Sequence, residues 1–253
     1  MVYLCFWNQK FKVMEKIKVK TSFNRLLTEE KTKSFDVVVK SLQDEAKRFL
    51  LNDTIVLNGI CIRPKEIEVY YYKKNKFDDN SVHKNELQRN NKNHFYIHRW
   101  GTEKTDSYKG GNYPGIDFVI SDDENTYYSY LIRSAIVKNE LIVGPHKVLE
   151  SIIKECKMTY EDIEKTSVEI VQNKIFCDVL FSSRINLGKT VFKEYSECNL
   201  RAVACDEYFR GNKYPQKEKM IIDFISEKQM TKVQAVEYAK EKLGYLPSKI
   251  REL

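Results

Sequence analysis

The chain has 253 residues, 42% of them hydrophobic and 31% charged, enough apolar side chain to build a packed core and too much for a disordered tail. Lysine and arginine number 43 against 36 acidic residues, a formal charge of +7 that suits a phosphate-bearing partner but is met equally by an ordinary solvated basic surface. No apolar run approaches the roughly 20 residues that a membrane-spanning helix needs, and the apolar opening MVYLCFW runs straight into NQKFK, too short and wrongly flanked for a secretory signal, so an intracellular protein with no membrane partner is expected.

Residues 1–40 read as a basic N-terminal extension carrying Lys10, Lys12, Lys16, Lys18, Lys20 and Arg25 without a clear hydrophobic period. Over Ser41–Leu51 the spacing of Leu42, Ala46, Phe49 and Leu50 predicts a short helix, with Ser41 and Asp44 as a capping box. TIVLNGICI and EIEVYYY, rich in β-branched and aromatic residues, predict two strands or one long bent strand. A charged, Asn-rich loop from Lys73 to about Asn93 holds His83. HFYIHRW alternates, so a strand there puts His94, Tyr96 and His98 on one face and Phe95 and Ile97 on the other. GTEKTDSYKGGNYPG then reads as a long glycine-rich hairpin connection into the strand IDFVI, and DDEN as a turn before the strand YYSYLIRSAIV.

GPHKVLESIIKEC predicts a helix with Pro145 in its first turn and a stripe of Val148, Leu149, Ile152 and Ile153. Two further strands are expected at KIFCDVLFSS and NLRAVAC. In a C-terminal helical segment, residues 216–253, Thr231 with Gln234 can cap TKVQAVEYAKEKL, which Gly244 closes. No repeat or linker divides the chain. The expectation is one mixed α+β domain over residues 41–253, with a curved, largely antiparallel sheet flanked by helices. Six cysteines without a CxxC pair read as reduced thiols that hold no zinc.

Chemistry concentrates in EIEVYYYKKNKFDDNSVH. Glu66 and Glu68 stand two apart on a predicted strand and so face the same side, an arrangement costly to bury unless a cation answers it. Arg133, flanked by apolar residues in YLIRSAI, is the candidate cation. A solvated strand face with a structural ion pair would account for the same three residues. Gly188-Lys189-Thr190 is like the end of a phosphate-binding loop, but Ser183 stands where that loop needs its first glycine, which sets an ATPase aside. His83, His94 and His98 lack a clear carboxylate or cysteine partner, so no metal is expected.

The succession EAKRFLL, a strand with E-x-E-x-Y and a histidine in the loop after it, a Tyr-rich strand, a glycine turn, LIRSAI, GPHKVLESI, and finally SSRINLGKT with LRA resembles the alkyladenine (3-methyladenine) DNA glycosylase family. It covers about residues 42–203. The resemblance implies an alkyladenine glycosylase-like fold and a monofunctional enzyme on double-stranded DNA that flips out an alkylated or hypermodified base and hydrolyses its bond to the sugar, leaving an abasic site. It implies a monomer with no obligate protein partner and no cofactor.

By resemblance Glu68 is the general base that activates water, Arg133 holds that water and orients the glutamate, Tyr70 stacks on the flipped base, and His83 contacts the nucleotide. In place of a second stacking tyrosine stands His98, with Tyr96 on the same face. Trp100 and Tyr108 are the candidates for a side chain that intercalates in the duplex. Asp117 stands where the family has a pocket asparagine, which predicts a base presenting an amino group or positive charge, since an ionised Asp only accepts hydrogen bonds. The resemblance places no lysine for a Schiff base, so strand cleavage is not expected. Two alternatives stay open: a non-catalytic nucleic-acid-binding module on the same scaffold, and a glycosylase directed at a foreign modified base in defence.

Overall fold

The computed structural model describes residues 34–252. The basic residues of the expected N-terminal extension, through Arg25, lie outside them. Helix α1 (Phe35–Asn52) starts before the expected Ser41, because Val38 continues the buried stripe of Leu42, Ala46, Phe49 and Leu50 back by a turn. Ser41 is therefore mid-helix, and its hydroxyl donates to the Val37 carbonyl at 2.9 Å instead of capping. The extension expected over residues 1–40 thus gives way to helix before residue 40.

Strands β1 (Asp53–Leu57) and β2 (Ile60–Lys73) form a hairpin. Its two-residue turn, Asn58-Gly59, has φ of 48° and 78°, the left-handed pair whose twist matches that of the flanking strands. Of the segment read as two strands or one bent strand, TIVL forms β1 and ICI joins EIEVYYY in the single strand β2, whose pairing shifts register just after Pro64, a residue with no N–H for the ladder. Strand β5 (Thr126–Val137) pairs along the length of β2, with register shifts between Pro64 and Ile67. Lys65 on β2 and Arg133 on β5 are the residues left without a partner across the ladder. Such bulges re-aim side chains; here Lys65 reaches Asp206, and Glu66 reaches Arg201.

The remaining strands are β3 (Phe95–Ile97), β4 (Ile116–Val119), β6 (Glu140–Val143), β7 (Glu169–Gln172), β8 (Asp178–Ser182) and β9 (Arg201–Cys205). The order is β3-β4-β5-β2-β1-β7, with β6 on β5 and the β8–β9 pair on β2 opposite Glu66–Glu68. All pairings are antiparallel, and the sheet curls into a half-barrel flanked by helices, the α+β architecture expected from the sequence.

Helix α2 (Pro145–Cys156), with Pro145 in its first turn as expected, buries Val148, Leu149 and Ile152 and leaves Ile153 half-buried. Together with α1 and the short α3 (Tyr160–Lys165) it covers the face carrying Ile67, Val69 and Tyr71. A second apolar cluster joins Leu180, Val203 and Cys205 to the C-terminal helices α5 (Glu207–Gly211), α6 (Lys217–Glu227), α7 (Lys232–Leu243) and α8 (Ser248–Arg251), while α4 (Lys193–Ser196) sits between β8 and β9 in the chain. The Thr231–Gln234 capping box and Gly244 at φ 84° bound α7 as the sequence predicts.

Cys156, Cys177, Cys198 and Cys205 are free thiols. Cys61 is disulfide-bonded, which corrects the expectation of reduced cysteines at that position. No described helix is long and apolar enough to cross a membrane.

Phe49 is the hinge of the main core: it stacks on Phe118 at 5.4 Å and meets Tyr130 at 4.9 Å, tying α1 to β4 and β5. Phe49→Ala removes that volume from a site 1% exposed. Urea denaturation should record a loss of about 3–5 kcal/mol, and a loss below about 1 kcal/mol would show that α1 is not held through this ring.

Candidate active site

Glu66, Glu68 and Tyr70 share one face of β2, as the two-residue period requires, while Ile67, Val69 and Tyr71 turn to the core. Two carboxylates are thus buried side by side, Glu66 at 2% and Glu68 at 0% exposure. Two guanidinium groups answer them. Arg201 Nε lies 2.7 Å from Glu66 Oε1. Arg133 bridges the pair, Nε 3.3 Å from Glu66 Oε1 and Nη1 3.4 Å from Glu68 Oε2. Arg201, which the sequence reading did not single out, takes the close contact with Glu66, so the demand of Glu68 falls on Arg133.

Glu68 completes its shell with neutral donors. Its Oε1 accepts the Ile185 N–H at 2.9 Å and its Oε2 accepts the Tyr70 hydroxyl at 3.1 Å. Burial pushes the Glu68 carboxyl above the usual carboxylate range, against the opposing pull of Arg133 and of the Ile185 N–H. A carboxylate in that condition holds a proton more readily than a solvated one, the property a general base at neutral pH needs.

Tyr70 is seated by a second buried ion pair. Arg184 Nη1 lies 2.7 Å from Asp79 Oδ2, both side chains fully buried, and its Nη2 donates to the Tyr195 carbonyl at 3.0 Å. The same guanidinium sits 4.9 Å from the centre of the Tyr70 ring. Asp79 belongs to the polar loop after β2 and Arg184 to the segment after β8, so this pair joins the two loops behind Tyr70. Arg184 lies within the SSRINLGKT segment of the resemblance.

A second group of side chains is built around His98 and His83, their ring centres 4.6 Å apart. His98 Nε2 is 2.8 Å from Asp117 Oδ1, and Asp117 Oδ2 accepts from Ser129 Oγ at 2.7 Å and Gln88 Nε2 at 3.0 Å. Burial alone would raise Asp117; the His98 imidazole and the Ser129 hydroxyl hold it below the usual carboxylate range. His83 stands between Tyr96 and Lys109: its Nδ1 is 3.2 Å from Tyr96 Oη, and its Nε2 is 2.9 Å from Lys109 Nζ.

The two groups meet at a cleft of about 540 Å³, lined by Glu68, Tyr70, His83, His98 and Arg133, with Lys109 and Tyr113 from the hairpin. Gly144, at φ 110°, donates its N–H to the Arg133 carbonyl at 2.8 Å and begins α2, whose first turn brings His146 and Lys147 to the rim. Gly115 is required by close approach: a Cβ there would come within 2.9 Å of Leu131 Cδ1 and 3.0 Å of His98 Cε1.

Five of the nine residues singled out from sequence therefore meet at one cleft: Glu68, Arg133, Tyr70, His83 and His98. Tyr96 and Asp117 stand behind His83 and His98. Asp117 is 1% exposed with both oxygens occupied, so the expectation that it reads the base directly is corrected: its hydrogen bonds are spent on positioning His98. Tyr108 is not available for intercalation, because its hydroxyl donates to Glu164 at 2.8 Å and its ring packs 3.9 Å from Arg99 and edge-on to Tyr160. Trp100 is 67% exposed but does not line the cleft. The exposed ring at the cleft is Tyr113, at 74%. The run KGGNYPG was the available signal for it, since an aromatic among glycines in a hairpin has no strand neighbour to pack on. His94 bonds the Lys92 carbonyl and stays apart from the cleft histidines. Among the described residues no group of three His, Cys, Asp or Glu side chains is placed to hold a metal ion.

His83 carries a stability signature. Burial first, then His98 and Lys109, push its pKa from near 6.5 down to about 3. Between those values the unfolded chain binds a proton that the folded one refuses, so stability falls as pH drops through that window. The urea midpoint of the native protein should drop on going from about pH 7 to about pH 5 by more than that of His83→Gln, whatever the variant loses overall. Parallel losses in the two proteins would mean that His83 does not stay neutral in the fold.

No protein-family model matches the chain, and no curated protein matches it in sequence.

Proposed function

We propose that this protein is a DNA glycosylase of the alkyladenine type, which holds one flipped, modified base in the cleft and hydrolyses its N-glycosidic bond. The observation that carries the reading is the condition of Glu68: a fully buried carboxylate at the floor of a cleft, 3.4 Å from Arg133 and flanked by aromatic rings. Departure of a base develops oxocarbenium character on the sugar. An anion at that point deprotonates the attacking water and stabilises the positive charge, and in a dry site that stabilisation is far larger than in water.

The rings have matching work. A base taken out of the duplex loses its stacking neighbours, and an aromatic face returns roughly 1–3 kcal/mol of that loss. Tyr70 and His98, which both line the cleft, are the rings suited to supply such faces. Asp117 fixes the orientation of His98, and the Arg184–Asp79 pair fixes that of Tyr70. Tyr113 at the rim is the side chain suited to fill the space the base vacates. Lys147, exposed on the first turn of α2, suits the flanking phosphates.

Duplexes carrying single modified bases, assayed for alkali-labile abasic sites, test this. The native protein should release a base, and Glu68→Gln should lower the single-turnover rate by about 10²–10⁴-fold. Because burial raises the Glu68 pKa and the ionised form is the active one, the acid limb of the rate profile should lie above the range of an ordinary carboxylate. Salt-sensitive binding without abasic sites on any duplex would instead favour a binding module. In the same assay Tyr113→Ala should slow excision from duplex more than from single-stranded DNA, where no vacated space needs filling; equal effects would remove the wedge role.

A further inference from the structure

The cleft contains a lysine that hydrolysis of the base does not use. Lys109 is half-buried among the lining residues, and its backbone N–H donates to the His98 carbonyl at 2.9 Å, just past the bridge between Arg99 and Tyr108. The side chain therefore leaves the hairpin at a fixed point. Its Nζ lies 2.9 Å from His83 Nε2, and among the described residues no carboxylate forms an ion pair with it.

The hydrogen-bond inventory decides the roles. Lysine only donates while it is charged, so His83 Nε2 accepts and Nδ1 bears the ring proton. Nδ1–H then donates to Tyr96 Oη, which also accepts the Arg99 N–H at 3.2 Å. While Lys109 is charged, His83 is thus the neutral acceptor of its proton. A lysine that clamps phosphate is best left solvated, as Lys147 is; one held half-buried, with no ion-pair partner among the described residues, is in the setting that frees an amine, because desolvation disfavours the ammonium. Burial pushes the Lys109 ammonium below the ordinary lysine range, with Asp117 opposing.

We propose that Lys109 gives the same cleft a second activity, cleavage of the strand at an abasic site through an imine with C1′ of the ring-opened sugar. This rests on the reading of the cleft as a nucleotide pocket. The Lys109 amine adds to the C1′ aldehyde, and the carbinolamine takes up a proton from solvent on its hydroxyl and loses it as water to leave a protonated imine. The C2′–H bond then breaks with its proton passing to the Glu68 carboxylate. The C2′–C3′ double bond forms, and the C3′–O bond breaks with its electron pair on the departing phosphate. Water hydrolyses the imine, returning Lys109 and releasing an unsaturated aldehyde on the 3′ end. No oxidant or reductant takes part.

The test is borohydride trapping of the full-length protein on a duplex that already contains an abasic site, so that no choice of modified base enters. Reduction of the imine to a secondary amine should give a covalent protein–DNA adduct, peptide mapping should place it on Lys109, and Lys109→Arg, which keeps the charge, should lose it. Mapping the native protein decides the matter even where the variant folds poorly, a point its melting temperature checks. An adduct on another lysine or on the terminal amine, or one that persists in Lys109→Arg, overturns the proposal, as does no adduct at all. Excision of a modified base without trapping leaves the hydrolytic reading standing and removes this one; trapping on Lys109 without excision of any base does the reverse.

Discussion

The fold is organised by the need to bury two carboxylates on the same face of β2. Glu66 and Glu68 cannot both ionise in a dry interior without compensation, and the cost of leaving one partner of a buried ion pair unmatched is roughly 3–5 kcal/mol. The sheet solves this by bringing one guanidinium from each neighbouring strand, Arg133 from β5 and Arg201 from β9. Both placements are topological. Arg201 lies directly across the ladder from Glu68 and turns its side chain to Glu66, and Arg133 is the residue that the β5 bulge sets out of register. The two register shifts cancel, since Ile67–Ile132 returns to the offset of Pro64–Ala135, so the irregularity is confined to Lys65, Glu66, Arg133 and Ser134 and leaves the rest of the ladder in one register.

The quartet is balanced in number but not in geometry. Arg201 is committed to Glu66 and further anchored by Ser182 Oγ at 3.0 Å and the Pro215 carbonyl at 2.9 Å, which links the quartet to the C-terminal helices. Arg133 divides its charge between both carboxylates at longer distance. Glu68 is left with the smaller share of positive charge, its other partners being the neutral Ile185 N–H and Tyr70 hydroxyl, and it is the one that lines the cleft. Asymmetry of this kind separates a structural carboxylate from a reactive one when both have the same neighbours.

How much of this could be read from sequence follows the physical range of each signal. Alternation puts Glu66 and Glu68 on one face of β2 and, within HFYIH, separates His94, Tyr96 and His98 from Phe95 and Ile97, because a strand's period is local and admits one answer. The helix stripe of Leu42, Ala46, Phe49 and Leu50 was equally plain, but its start was misplaced: a serine followed by an acidic residue resembles a cap whether or not an earlier turn, here Val38, is also buried. Residues whose role is set by distant partners were not legible. Asp79 pairs with Arg184 across more than a hundred residues of chain, and nothing near either one announces it. Tyr108 and Tyr113 look alike in sequence, yet Glu164 on α3 captures the first and leaves the second at the rim. Asp117 looked like a pocket acceptor, because sequence does not reveal that Ser129, Gln88 and His98 exhaust its oxygens.

The titrations around the cleft share one direction once sign is accounted for. Glu68 is raised, His83 is lowered and Lys109 is lowered, and in each case burial is the leading cause. Each shift favours the neutral form, so the walls discourage charge of either sign except where a partner is built in, as Arg133 is for Glu68 and His98 for Asp117. Such an environment suits the flat, uncharged face of an aromatic ring and penalises a free ion. Under the proposed function that selectivity has a kinetic consequence. The positive charge that develops on the sugar finds compensation at a single point, the Glu68 carboxylate, so binding energy gathered from the rest of the nucleotide is expressed where the bond breaks and not in the ground state.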